Sequence, residues 1–369
     1  CSSHFPINNI YSGCATSIGE QPIFGLINSI SLVHKTFYEA LFNLMWVVID
    51  DIKNIRCSAN WMWPCPHKDS KEGYSMYIAM KELVEIMKFF DIAIDGGKDS
   101  LSMVVEHNNK LVKSPGSLVL TFYASVPNIY HKVSPNLKKN NSILLHINLN
   151  ENYYNLGGSS YYQSYNLIGN DYPIIRNKYK LLTTFEIIQN LIKNKIILSG
   201  HDISDGGLIT TIIEMSISSN IGIYLNIPND LYIDNYLFSE EIGIIIEINP
   251  SFYEYIHNYF YKYNINIINL GSTNNEDFIE INHKNKVIFK ENINDVRNEW
   301  EYISYKLEKL QCDIDCVEEE KKSIYNYKKL EYNFTDLYLN SVSNCNKIIG
   351  IIREEGSNSD REMTAAFYH

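Results

Sequence analysis

Apolar and polar positions divide the chain into two stretches of mixed helix and strand, then a polar stretch and a short apolar restart. Between residues 31 and 49, Val33, Phe37, Ala40, Leu41, Leu44, Met45 and Val48 share one helical face at three- and four-residue spacing. Leu32, Phe42, Trp46 and Val47 make the opposite side apolar as well, which predicts a helix buried nearly all round, with Glu39 its one charge between Thr36 and Ile49. A second helix is predicted from Tyr74 to Phe90, a short strand at Ile92-Ala93-Ile94, and a strand from Leu118 to Ser125 after the turn Ser114-Pro115-Gly116. Pro127 and Pro135 mark a connector.

A second alternation starts near 141. It predicts strands at Ile143–Ile147 and Ile196-Ile197-Leu198, a helix over Thr184–Asn194, a helix carrying Leu208, Ile209, Ile212, Ile213 and Met215, and strands near Ile223–Ile227 and Ile242–Ile248. These complete an α/β (α+β) domain reaching about residue 310. Residues 311–345 are charged and without period, and the run Glu318-Glu319-Glu320-Lys321-Lys322 reads as a solvated linker or helix face. Lys347–Ile352 then reads as a strand and Asp360–Phe367 as the start of a helix, the opening of a further domain.

Composition narrows the class. A 45% hydrophobic and 20% charged content fits folded domains, and no apolar run reaches membrane-spanning length, so no membrane partner is expected. The formal net charge of −11 argues against a nucleic-acid surface, which needs a basic stripe. Seven scattered cysteines without CxxC pairs fit reduced thiols in a cytoplasmic protein. With no initiating Met and a structured start, the chain reads as a fragment cut at both ends.

The densest chemistry lies at His201-Asp202-Ile203-Ser204-Asp205-Gly206-Gly207, between a buried strand and a helix. Backbone N–H groups at a helix N-terminus attract phosphate, whereas the carboxylates repel it unless a hard cation such as Mg²⁺ lies between. An Asp/Ser helix cap with a glycine turn accounts for the same residues. Glu39 and Asn43, four residues apart on one helix face, offer two oxygens to such a cation, or form a wet helix edge. Asp95-Gly96-Gly97-Lys98-Asp99-Ser100 reads as a turn whose Lys98 and Ser100 suit a phosphate, although the Walker A order is broken by Asp99; a surface hairpin explains it too. Leu156-Gly157-Gly158-Ser159-Ser160 is a second glycine and hydroxyl loop, able to meet a phosphate or merely to turn the chain.

Three motifs in this order resemble phosphoribosylformylglycinamidine synthase in its large single-chain form: 95–103 (DGGKDSLSM), 199–208 (SGHDISDGGL) and 352–363 (IREEGSNSDREM). Supporting matches are Gly19-Glu20-Gln21-Pro22, Ser58–Trp63, Pro115–Leu118, Leu156-Gly157-Gly158, Phe238-Ser239-Glu240-Glu241 and Leu310-Gln311. The resemblance covers essentially the whole chain. It implies aminoimidazole-ribonucleotide-synthetase-like N-terminal (1–137) and C-terminal (138–310) domains forming the second half of a duplicated synthase. A linker (311–345) follows, then the first strand and helix of a class I glutamine amidotransferase (346–369).

The implied reaction converts formylglycinamide ribonucleotide to the amidine with ATP and glutamine in purine biosynthesis. ATP activates the substrate amide oxygen as an iminophosphate, and ammonia from the glutaminase displaces phosphate. The resemblance places magnesium ligands at Glu39, Asn43 and Asp202, with Ser204 on the nucleotide (ATP or ADP); Lys98, Asp99, Ser100 and Asp205 are further nucleotide candidates. Another family aspartate ligand is expected just before Cys1, and the glutaminase Cys, His and Glu beyond His369, so no catalytic residue is expected within the chain. The implied partners are the first synthase half and the glutaminase domain. His201, beside a ligand, reads as its supporting partner rather than a general base. Two other readings remain: a related ATP-dependent synthetase, which the 353–363 segment disfavours, and a non-catalytic nucleotide-binding scaffold.

Overall fold

The structure is a computed structural model describing residues 11–66, 69–108, 110–138, 141–150, 153–323, 347–357 and 359–368. It divides into two compact units, Cys1–Tyr302 and Ile303–His369.

The first unit holds two sheets. Its chain runs through β1 (Gly13–Glu20), β2 (Arg56–Met62), β3 (Ala93–Ser100), a small hairpin of β4 (Val104–His107) and β5 (Lys110–Lys113), and β6 (Ser117–Val126). The four-stranded sheet has the order β1-β6-β2-β3, antiparallel except for the β2/β3 pair. Period-two alternation decides which face is covered: Leu118, Leu120, Phe122 and Ala124 of β6 point inward with Ala15 of β1. The Ser29–Leu44 and Ser70–Phe90 helices cover that face, where Phe37 stands 4.8 Å from Phe90 and 5.6 Å from Phe122 between ring centroids.

The second sheet comprises β7 (Ile143–Asn148), β8 (Ile197–Asp202), β9 (Gly222–Ile227), β10 (Gly243–Ile248), β11 (Asn266–Asn274), β12 (Phe278–His283) and β13 (Lys286–Asn292), in the order β13-β12-β9-β11-β7-β10-β8. Its central strands are apolar on both faces because helices cover both. Leu145, Ile147, Ile244 and Ile246 join a core with the Ser29–Leu44 and Lys178–Lys193 helices, while Leu144 and Ile245 join one with the Gly207–Ser219 helix. The Ser29–Leu44 helix is thus shared by both sheets, and its all-round apolarity follows: Ser31 Oγ donates to Pro173 O at 2.6 Å and Lys35 Nζ to Glu240 O at 2.5 Å.

Three expectations need correction. The first helix ends at Leu44 rather than 49. Gln189 Nε2 donates to Met45 O (2.7 Å) and Val47 O (2.9 Å), and Val47 pairs with Lys132, so side-chain capping and a strand-like bridge replace another helical turn. Asp95–Ser100 is no turn but most of β3, an exposed edge strand; Gly97, at φ +133°, sits just past a register shift where an added Cβ would lie 1.8 Å from Ala59 O.

In the second unit, the stretch read as a solvated linker or helix face includes a helix, Ile314–Ser323, on which Glu318 accepts from Tyr305 Oη (2.5 Å) and pairs with Lys309 Nζ (2.9 Å). Residues 324–345 of that linker lie outside the described residues, as does Asn346. Lys347–Ile352 is not a strand: Ile348 is 99% and Ile352 90% exposed, with no ladder partner among the described residues. The Asp360–Tyr368 helix is present.

Candidate functional site

β8 ends on Asp202, which is buried, and the chain turns through Ile203–Gly206 into the Gly207–Ser219 helix. The turn needs its glycines. Gly206 and Gly207 both have positive φ (+81° and +74°), and a Cβ on Gly207 would lie 2.7 Å from Ser239 O. The loop faces Glu39 on the Ser29–Leu44 helix, and Ser204 Oγ donates to Glu39 Oε1 at 2.9 Å. The same oxygen accepts from Gln21 Nε2 at 3.0 Å, and Glu39 Oε2 accepts from Glu20 N at 2.7 Å. Gln21 Nε2 also reaches Asp205 Oδ1 at 3.1 Å.

Burial raises the Glu39 pKa above its ordinary value, despite those donors and the nearby charge of Lys35. A partly desolvated carboxylate without an ion pair among the described residues is a group that a bound cation would relieve. Asn43 is exposed and donates from Nδ2 to Ile18 O at 3.1 Å, leaving Oδ1 without a hydrogen bond among the described residues. The donors of Glu39, Asn43, Asp202 and Ser204 are all oxygens, the type a hard divalent cation takes, and of the four the structure joins Ser204 to Glu39 by a hydrogen bond, while Asn43 meets Ile18 O and Asp202 meets His201. No cluster of three or more His, Cys, Asp or Glu with metal-site geometry occurs among the described residues.

Asp202 lies 3.4 Å from His201 Nδ1, whose other nitrogen meets Glu214 Oε2 at 2.9 Å. Burial works against the charged ring, but the Asp202 and Glu214 carboxylates outweigh it and hold the pKa up at about 10.

The anion at the helix N-terminus is the protein's own. Glu240 Oε1 accepts from Gly206 N and from Ser160 N, each at 2.7 Å, so at Gly206 N a carboxylate holds the place that the sequence offered to a phosphate. Lys98, Asp99 and Ser100 are not brought to this cluster. They sit on β3 of the four-stranded sheet, with Lys98 Nζ tied to Ser100 Oγ at 2.9 Å. Cys57 is buried, and burial pushes its thiol up to about 12, which fits no nucleophile. Sequence reasoning missed Gln21, Lys35 and Glu240 as site residues. Gln21 and Glu240 stood in quoted motifs without a role, and Lys35 stood in no motif.

Residues 2–125 match the family described as FGAR-AT PurM_N-like domain, and residues 142–276 match the AIR synthase related protein C-terminal domain. Phosphoribosylformylglycinamidine synthase of Dictyostelium discoideum is 38% identical across 99% of this chain, and that of Homo sapiens 32% across 96%. Over nearly its whole length the chain is thus similar to one part of phosphoribosylformylglycinamidine synthases. It spans 30% and 27% of the length of those two synthases. Among solved structures, Thermotoga maritima PurL complexed with FGAR matches 78% of this chain and 46% of its own (TM-score 0.61, 11% identity). Thiamine-monophosphate kinase from Stenotrophomonas maltophilia matches 76% of this chain and 87% of its own (TM-score 0.52, 12% identity). At such identities the likeness is one of fold, shared by synthase and kinase alike. No helix among the described residues is long and apolar enough to cross a membrane.

Proposed function

We propose that this chain contributes a magnesium–nucleotide site to a phosphoribosylformylglycinamidine synthase. The parent protein would convert formylglycinamide ribonucleotide, ATP and glutamine to formylglycinamidine ribonucleotide, ADP, phosphate and glutamate in the cytoplasm. The observation that carries the proposal is the 2.9 Å hydrogen bond from Ser204 to Glu39, which joins the acidic loop to the shared helix across 165 residues of sequence. Glu39, Asn43 and Asp202 would hold the cation and Ser204 would orient a phosphate oxygen. When bound, Mg²⁺ would offset the charge of the nucleotide phosphates. Lys98, Asp99 and Ser100 would form a separate group at the sheet edge, offering a cation and a hydroxyl.

The same proposal assigns 1–137 and 138–310 to the two synthetase-like domains, 311–345 to a linker and 346–369 to the start of a glutaminase, with the first synthase half and ammonia from the glutaminase as partners. The family resemblance at 352–363 and the Asp360–Tyr368 helix support that last assignment. Calorimetric titration of the chain with ADP, with and without Mg²⁺, tests the site. Replacing Glu39 and Asn43 together by alanine should weaken magnesium-dependent ADP binding at least about tenfold, or about 1.4 kcal/mol. Unchanged affinity would reduce Glu39 to a structural residue.

A further inference from the structure

Two glycine loops flank the candidate site: 156–160 before the short Ser160–Ser164 helix, and 203–207 before the Gly207–Ser219 helix. They lie 46 residues apart in sequence by their Ser160 and Gly206 positions, yet the N–H groups of both residues converge on one atom, Glu240 Oε1, each at 2.7 Å. Glu240 is 2% exposed, so this oxygen has little access to water in place of these donors. Its backbone is fixed as well. Lys35, 1% exposed and flanked by the Phe24 and Tyr38 rings, donates from Nζ to Glu240 O at 2.5 Å. Lys35 stands one turn before Glu39 on the same helix.

The element carrying the Glu39 carboxylate, the loop carrying Ser204 and the loop ending at Ser160 therefore meet through a single residue. Neighbouring Gly207 lies against the same stretch, since an added Cβ there would be 2.7 Å from both Phe238 C and Ser239 O. Charge-assisted hydrogen bonds from backbone N–H groups to a carboxylate are strong and directional, so losing them frees both loops at once.

We propose that Glu240 is a positioning residue of the nucleotide site: its Oε1 clasps the two glycine loops into one wall and occupies the anion position at Gly206 N. Nucleotide phosphates then approach from the Glu39 and Ser204 side, not at the Gly206 and Ser160 amides. The nucleotide part of this inference rests on the site reading given above; the clasp does not.

The test uses the full chain with Glu240→Ala and Glu240→Gln, read by hydrogen-exchange mass spectrometry, thermal unfolding and calorimetry with Mg·ADP. In Glu240→Ala, amide exchange should rise in both 156–163 and 203–208 and stay unchanged in β7 and β10, while ADP affinity falls about tenfold, the order expected on losing a charge-assisted hydrogen bond. Glu240→Gln keeps one acceptor oxygen and should restore most of the protection and affinity. If Glu240→Ala fails to fold, the glutamine variant decides alone, with a smaller rise in exchange confined to the same two loops. Exchange rising in one loop only, or throughout the chain, would overturn the clasp. Tighter ADP binding in Glu240→Ala, or affinity unchanged with both loops loosened, would overturn the positioning role. If the wild-type chain binds no nucleotide, the reading of the site fails, and the exchange result still decides whether Glu240 joins the loops.

Discussion

Glu241, next to the clasp, shows what burial does to a single carboxyl. It is 5% exposed, one oxygen accepts from Asn150 Nδ2, and the other has no partner among the described residues. Burial pushes its pKa from 4.5 to about 7, against the opposing pull of Asn150 and of the Lys35 and Arg176 charges. Between those two values the folded chain binds more protons here than the unfolded chain. The contribution of Glu241 to stability is therefore greatest below pH 4.5, declines as pH rises through the window, and is lost above 7. That displacement corresponds to about 3 kcal/mol. Glu241→Gln removes the titration, so urea unfolding of wild type and variant at about pH 5 and pH 8 should show the wild type losing about 2.5 kcal/mol relative to the variant. Parallel pH dependence in the two chains would contradict this.

At this scale the sequence showed residue types but not their surroundings. Glu39 stood out because an apolar helix surrounded it, and Ser204 because glycines followed it. Glu240 did not stand out, because its role depends on two N–H groups that only folding brings to it.

Among elements, those with long periodic patterns were legible. The β6 alternation and the apolar stripe of the Ser29–Leu44 helix led directly to the strand and helix observed. The misses arose where a tertiary partner decided the outcome. Gln189, 140 residues away from Ile49, takes the carbonyls of Met45 and Val47 just past the end of the first helix, and β2 draws Asp95–Ser100 into a sheet despite the glycine pair. Lys347–Ile352 has an apolar pattern but no described neighbour on which to form a ladder.

The entry to the Gly207–Ser219 helix provides a sharp test of element packing. Gly207→Ala combines positive φ with a Cβ contact at 2.7 Å to the backbone of Phe238 and Ser239, and should cost at least about 2 kcal/mol. Gly350, with nothing within 4 Å, is the control, and Gly350→Ala should leave the denaturant midpoint unchanged. Equal midpoints for both variants would show that the loop relaxes freely.

The whole molecule explains why the shared helix is apolar on every side. One face packs on the four-stranded sheet, the other joins the core of the seven-stranded sheet, and the half-buried Glu39 meets the acidic loop. This joint is the physical basis of the proposed site, because neither sheet alone brings Glu39 to Ser204. The sequence supplied both walls, while the distance between them belongs to the folded chain. Continuous-wave electron paramagnetic resonance with Mn²⁺ in place of Mg²⁺ tests the central claim most directly. The wild-type chain should remove the free-Mn²⁺ signal beyond the loss caused by ADP alone, and Glu39→Gln and Asp202→Asn should each abolish that additional loss. Identical Mn²⁺ titrations for wild type and both variants in the presence of ADP would contradict the account.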